Sequence, residues 1–237
     1  MYSIIYIIYP WPICSDLLNF THYMGYGKIQ NVSKNVELVS LYKVGNMRVI
    51  AGEARGQKII SRKKLGARPT TGRVRSSLFA ILESSGIYGK RVVDLYAGVG
   101  TLGIEALSRG AEWVDFVESD PRRCILLRRS LANLGFEKKS RVHCMKVEKA
   151  VRYLVGDYDI ILMDPPYTIG PVHRLMDEIV NLAKPGALVA TGHSKRHKLE
   201  QKYNGLALIK EKRQGDTICS IYREENHIGN RDLSREL

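Results

Sequence analysis

The chain has 237 residues, 44% hydrophobic and 26% charged. That is too apolar for a disordered polymer and enough for one sizeable core, so it reads as one domain with at most a small appendage. Lys and Arg outnumber Asp and Glu by 37 to 24, a net charge of +13; this excess fits a nucleic-acid partner or a generally basic protein, and only its position decides.

Residues 1–46 differ from the rest. MYSIIYIIYPWPICS is apolar but only fifteen residues long and broken by Pro10 and Pro12, whereas a spanning helix needs about 20 apolar residues. Nothing basic precedes Lys28, which argues against a secretory signal. Six of the thirteen tyrosines fall here without a period of 2 or 3.6, and regular patterning opens at Met47. The expectation is that the functional protein starts near Met47, with 1–46 a dispensable extension and a misplaced start. Residues 47–237 keep +12 of the charge. The four cysteines, Cys14, Cys124, Cys144 and Cys219, show no C-x-x-C spacing, which argues for a cytoplasmic protein without a zinc site, another metal or a disulfide framework.

From Met47 the pattern predicts a hairpin (47–51 and 57–60) around Glu53–Gly56, then a basic loop to Arg68-Pro69-Thr70-Thr71. Thr71 is the N-cap of a helix through about Ser85. Strands and helices then alternate: strand 91–95, helix 101–109, strand 113–118, helix 121–134, strand 141–145, helix 147–154, strand 159–163, helix 171–183 and strand 187–191. Asp120-Pro121 is an N-cap followed by proline at the first helical position. Such alternation indicates an α/β fold with a parallel sheet covered on both faces. Leu206–Lys210 and Thr217–Tyr222, around a turn at Gln214–Asp216, form an antiparallel closing pair. The expected division is 1–46 extension, 47–85 basic hairpin and helix, 86–224 catalytic domain and 225–237 polar tail.

Val92 to Gly103 runs from a strand through a glycine loop into a helix. Gly98 and Gly100 let backbone pass close to a ligand, and the helix N-terminus beyond offers N–H groups and partial positive charge. Glu118, ending the next strand, stands where a carboxylate accepts from both hydroxyls of a ribose. The loop satisfies the dinucleotide form G-x-G-x-x-G with a following acid. Asp94, four residues before the first glycine, equally fits the D-x-x-x-G-x-G loop of class I S-adenosylmethionine-dependent methyltransferases. Candidate cofactor residues are Asp94, Tyr96, Ala97, Gly98, Gly100, Thr101, Glu118 and Ser119.

The next motif separates the two. An apolar strand delivers Asp164-Pro165-Pro166-Tyr167 at its carboxyl end, where open α/β sheets bind ligands. Paired prolines fix a rigid turn with carbonyls outward. Asp164 and the Pro165 carbonyl can both accept from one exocyclic –NH₂, and Tyr167 offers a ring for stacking. An aromatic amine is a poor nucleophile, and two acceptors on its hydrogens turn its lone pair toward a methyl donor. Asp164 also stabilises the developing charge and takes the proton. A dehydrogenase has no use for this motif, and a carbon-5 cytosine mechanism needs a nucleophilic cysteine beside the proline turn, with none near 164–167.

Between Ala54 and Leu82 lie eight basic residues and no acidic ones: Arg55, Lys58, Arg62, Lys63, Lys64, Arg68, Arg73 and Arg75. A solvated face normally mixes signs, so this bias indicates a phosphate-tracking surface. Arg128, Arg129 and the Lys195, Arg196, Lys198 and Lys202 cluster either widen it or form an ordinary solvated helix face. His193 and His197 read as surface residues.

MRVIAGEARGQKI, RPTTGRVRSSLFAIL, DLYAGVGTLGIEALSRGA, DFVESD and DPPY together resemble the RsmD-like family of bacterial small-subunit ribosomal RNA methyltransferases, over roughly Met47 to Tyr222. The resemblance implies methylation of the exocyclic N2 of a guanine in 16S ribosomal RNA, with S-adenosylmethionine as cofactor. It implies a seven-stranded Rossmann-like sheet with one antiparallel strand and an N-terminal hairpin-plus-helix addition. It places Asp164–Tyr167 at the target amine and Arg68, Thr70 and Arg73 near RNA or the active-site rim, beside Arg55 and Arg75. The expected partner is that RNA or its assembling particle, bound by a monomer away from membranes. Gly72 and Ser76 depart from the family's helix, and Lys146 stands where relatives carry Asp or Asn against adenine. Lysine cannot accept a hydrogen bond, so backbone groups, apolar packing or another neighbour must hold that base. The alternatives are N6-adenine or N4-cytosine methylation of DNA, or a non-catalytic RNA-binding assembly factor with this fold.

Overall fold

Period-2 runs of Val, Ile and Leu between helix-forming stretches set the architecture. The computed structural model describes residues 47–61, 72–166 and 173–225, without the side chain of Arg73. In chain order they form α1 (Gly72–Glu83), β1 (Arg91–Leu95), α2 (Thr101–Ser108), β2 (Trp113–Glu118), α3 (Pro121–Asn133), β3 (Ser140–Cys144), α4 (Val147–Tyr153), β4 (Tyr158–Met163), α5 (His173–Ile179), β5 (Ala183–Ser194), β6 (Lys202–Tyr203), β7 (Leu206–Gln214) and β8 (Thr217–Glu224). Among these residues no helix is long and apolar enough to cross a membrane.

The strands make one sheet in the order β3-β2-β1-β4-β5-β8-β7-β6. The first five are parallel; β8 inserts antiparallel between β5 and β7, and β6 pairs antiparallel with β7. The sheet thus has eight strands rather than the expected seven, and two rather than one run against the parallel set. The extra one is the two-residue β6, too short to show a period in sequence.

Side chains alternate across the sheet as the pleat requires. Val92, Phe116, Ile160, Leu162, Ala190 and Ile221 meet Leu78, Phe79 and Leu82 of α1, Ile104 and Leu107 of α2 and Leu127 of α3. Val93, Leu95, Val117, Ile161, Met163, Val189 and Tyr222 line the other face with Val147 and Val151 of α4 and Met176 and Ile179 of α5. Asp120 caps α3 as expected, its Oδ1 accepting from the Arg122 N–H at 2.9 Å with Pro121 at the first helical position.

Other boundaries move. The helix expected over 171–183 ends in a 3-10 turn, Val180–Leu182, and β5 begins at Ala183. The strand expected over 187–191 thus starts four residues earlier, ahead of Pro185-Gly186. Pro185-Gly186 lies in a bulge: the ladder pairs Tyr158 with Ala183 and resumes at Ile160 with Leu188. The N-terminal hairpin is present as a single bridge between Arg48 and Lys58, closed by Ile59 N–H to Met47 O at 2.9 Å and Val49 N–H to Gln57 O at 3.0 Å. The Thr71 cap and the start of helix 171–183 lie outside the described residues.

Candidate active site

From β1 the chain runs outward through β2 and β3, then crosses to β4 on β1's other side. A doubly wound sheet opens a crevice at such a reversal, beyond the strand carboxyl ends. The ladder pairs Leu95 with Met163, so the glycine loop leaving β1 and the Asp-Pro-Pro turn leaving β4 emerge side by side. Glu118 ends the neighbouring strand, opposite Cys144.

The loop folds on itself and on β2. Ala97 N–H donates to Val117 O at 2.9 Å, and Gly100 N–H to Ala97 O at 2.8 Å. Tyr96, Gly98 and Gly100 hold positive φ of 62°, 60° and 83°; for Tyr96 this left-handed conformation is costly and marks a site constraint. The glycines have separate roles. A Cβ on Gly98 would point into open space, toward any ligand on the loop, whereas one on Gly100 would lie 2.3 Å from Leu127 Cδ1 and one on Gly103 2.2 Å from the Phe116 ring. Gly98 therefore faces the crevice, while Gly100 and Gly103 let α2 press onto the sheet. Gly100 caps α2 without a side chain over its N-terminus, and Thr101, in the first turn, is buried.

Two carboxylates hold the loop. Asp94 Oδ2 accepts from Gly103 N–H at 2.8 Å. Burial pushes the Asp94 carboxyl up to about 8, and the nearby charges of Asp164 and Glu118 push the same way. Glu118 is buried and bridges the glycine loop to the turn after β2: Oε2 accepts from Gly98 N–H at 2.8 Å and Oε1 from Asp120 N–H at 2.7 Å. Each oxygen keeps acceptor capacity beyond one bond. Ser119 Oγ lies 3.5 Å from Oε1.

Asp164 is half-buried, Pro165 buried and Pro166 exposed; Tyr167 lies outside the described residues. Gly192 of β5 makes room for the Asp164 carboxylate, since a Cβ there would meet Asp164 Oδ1 at 2.9 Å. Sequence reading missed Gly192, although a glycine inside a strand signals close approach. It also judged cysteines by sequence distance alone. Cys219, paired with Gly192 across β5 and β8, feels the Asp164 charge, and burial with that charge pushes its thiol up to about 11. It is a thiol at neutral pH and no nucleophile.

The basic segment divides. Arg55 is exposed; Arg68, Thr70 and the Arg73 side chain lie outside the described residues. Arg75 does not face solvent: its side chain is 6% exposed, 3.7 Å from Glu105, and donates to the Arg48 carbonyl. Residue type marked it for phosphate, but its direction on α1 points it inward. Lys146 is exposed at the N-terminus of α4 and makes no capping bond with its side chain. His193 is buried rather than superficial, with Nδ1 2.9 Å from His197 O and Nε2 2.9 Å from Ser220 Oγ. Lys195, Arg196 and Lys198 sit on the turn after β5, not on a helix.

Known proteins resemble this chain in sequence and fold. The chain is similar to the Putative rRNA methyltransferase YlbH of Bacillus subtilis, 32% identical over 186 residues spanning 75% of this chain and 99% of that protein. It is also similar to Ribosomal RNA small subunit methyltransferase D of Escherichia coli, 31% identical over 191 residues, 76% of this chain and 91% of that one. Among solved structures, the putative methyltransferase yhhF from Escherichia coli superposes with a TM-score of 0.65 at 31% identity, covering 76% of this chain and 98% of that one. An RNA methyltransferase from Salinibacter ruber, solved with S-adenosyl-L-homocysteine, shares the fold at a TM-score of 0.54 and 14% identity, over 68% of this chain and 97% of that one. With its family model matched across residues 47–223, the chain belongs to the family described as Conserved hypothetical protein 95.

Proposed function

We propose that this protein transfers a methyl group from S-adenosylmethionine to the exocyclic N2 amino group of a guanine in small-subunit ribosomal RNA, acting in the cytoplasm on the RNA or its assembling particle. The observation that carries the reading is the emergence of Asp164 from β4 directly beside the glycine loop of β1. The two relatives carry the names of ribosomal RNA methyltransferases, and the fold is shared with a protein solved with the demethylated cofactor.

The residues present fit such a cofactor. Open space lies over Gly98, the α2 N-terminus carries no side-chain cap, and the Glu118 carboxylate stands beside the loop, bonded to Gly98 and Asp120. The cofactor supplies an electrophilic methyl on a cationic sulfur. Asp94, Tyr96, Ala97, Gly98, Gly100 and Thr101 shape the loop under it, with Glu118 at the ribose hydroxyls and Ser119 beside it. Asp164 and the Pro165 carbonyl accept the two amine hydrogens, aiming the nitrogen lone pair across the crevice, with Tyr167 stacking on the base. Asp164 then stabilises the positive charge on nitrogen and takes its surplus proton. Holding amine and methyl in line supplies much of the remaining acceleration.

The test is transfer of a tritiated methyl group to small-subunit RNA and particles, followed by nucleoside analysis. Wild-type protein yields N2-methylguanosine. Asp164→Ala lowers kcat by about 10²–10³-fold, the loss seen when an aligned polar group is removed from a charge-developing centre, with cofactor affinity kept. Wild-type turnover by Asp164→Ala, or a product other than N2-methylguanosine, overturns the reading.

A further inference from the structure

The β7–β8 hairpin brings positive charge to the catalytic rim. β8 runs against β5, so its first residues lie beside the carboxyl end of β5: Thr217 pairs with Ser194 and Cys219 with Gly192. On the far side of β8, Lys212 pairs with Cys219 and Lys210 with Ile221. Alternation puts Lys210 and Lys212 on the face that carries Cys219 and Gly192, the face toward Asp164. Cys219 feels both the Asp164 carboxylate and the Lys212 ammonium, so the cation stands one strand beyond the catalytic turn. Glu211, between the lysines, turns to the opposite face, where Ser220 Oγ donates to it at 2.8 Å.

The rim is held in place. Lys195 N–H donates to Asp216 O at 2.9 Å, and Lys195 Nζ lies 2.7 Å from Asp216 Oδ1, pinning the turn after β5 to the hairpin tip. At that tip Gln214 Nε2 donates to Ser77 Oγ of α1 at 3.3 Å. The nearby acids are thereby engaged, Asp216 by Lys195 and Glu211 by Ser220. Lys210, Lys212 and Arg196 are exposed, and among the described residues none of them forms a salt bridge.

We propose that Lys210, Lys212 and Arg196 form a cationic ledge that holds phosphates of the RNA strand flanking the target nucleotide. The proposal rests on the RNA-methylating reading above and adds where the strand runs. To reach Asp164 a guanine must leave its stack, and the splayed backbone on either side then needs charge at the crevice rim. The ledge lies on the hairpin side of that rim, and Gln214 ties it to α1, the helix that follows the basic segment.

The test measures affinity for transcribed small-subunit RNA against salt concentration, using full-length protein. Each single-strand phosphate contact contributes about 0.7 to the slope of log K against log salt. Lys212→Ala lowers the slope by about that amount, and the combined Lys210→Ala, Lys212→Ala and Arg196→Ala variant lowers it by about 2. Lys212→Arg keeps the wild-type slope. Lys149→Ala, at an exposed position of α4 on the opposite sheet face, removes the same charge and leaves slope and activity unchanged. The KM for RNA rises several-fold in the combined variant while the dissociation constant for S-adenosylmethionine holds. An unchanged slope in the combined variant, or an equal fall in Lys149→Ala, overturns the ledge while methyl transfer by the wild type upholds the reading beneath it. Absence of methyl transfer by the wild type removes both.

Discussion

Asp94 and Glu118 are both buried carboxylates one strand apart, yet their settings differ. Glu118 accepts from two backbone N–H groups and has the Arg123 guanidinium 3.8 Å away. Asp94 accepts from Gly103 N–H and is fully buried facing the negative charges of Asp164 and Glu118, so burial first and those charges second raise its carboxyl to about 8. A carboxyl raised on folding binds more protons in the native state than in the unfolded chain between the two pKa values. Its stabilising contribution is therefore complete below pH ~4 and lost as pH rises toward 8. Asp94→Asn should flatten that fall, as measured by urea unfolding at pH 5 and pH 8.5; an identical pH slope in the variant would remove Asp94 as its source. The same linkage reaches ligand binding. A cationic cofactor in the crevice favours ionised Asp94, so S-adenosylmethionine should release a fraction of a proton on binding at pH 7.5. Neutral-sulfur S-adenosylhomocysteine should release less. Calorimetry in buffers of different ionisation enthalpy reads the difference, which Asp94→Asn should abolish.

At the scale of elements, Glu105 fastens the N-terminal addition to the helix that carries the glycine loop. It is fully buried on α2 and accepts from Ile50 N–H at 2.8 Å and Ala51 N–H at 2.9 Å, with Arg109 at 2.9 Å and Arg75 at 3.7 Å. Arg109 in turn pairs with Glu83 at the end of α1 and covers the Phe79 ring. Glu105→Ala strands two backbone donors and leaves two guanidiniums without their central anion, so it should cost about 3–5 kcal/mol. The urea midpoint checks this; a loss below 1 kcal/mol would show that the clamp is dispensable. The sequence pattern could not reveal it. Glu105 and Arg109 sit four apart in sequence, the spacing of an ordinary surface pair, and only the hairpin and α1 lying against α2 enclose them. Arg75 was misread for the same reason, since a run of basic residues reports sign and not direction, and His193 because burial of a polar ring depends on partners such as Ser220 that arrive from a distant strand. What local chemistry determines was legible: the β-α alternation, the Asp120-Pro121 helix start, the glycine loop and the proline turn. What arises from strands meeting across β5 and β8, including Gly192 against Asp164 and Cys219 beside Lys212, was not.

For the molecule as a whole, the part of the chain that matches the relatives spans most of their own length. About three quarters of this sequence spans 99% of the Bacillus subtilis protein and 91% of the Escherichia coli one, and the family match opens at Met47 itself. That residue already belongs to the fold: its carbonyl accepts from Ile59 N–H, and the next two residues bridge Lys58 and donate to Gln57 O. Val49, Ala54 and Ile59 are buried in the same cluster as Phe79, Leu107 and Ile221, so the apolar face of the hairpin is met from within 47–225. The net charge left on residues 47–237 is +12 of +13, so truncation leaves the field available to the proposed RNA substrate nearly unchanged. Removing residues 1–46 should therefore shift Tm by less than about 2 °C, the effect of well under 1 kcal/mol in a domain of this size, and leave both the salt slope for RNA and the rate of methyl transfer at wild-type values. Cooperative unfolding followed by calorimetry, with the tritium assay alongside, decides it: a truncated chain that aggregates or melts many degrees lower would show that the first 46 residues contribute to the fold.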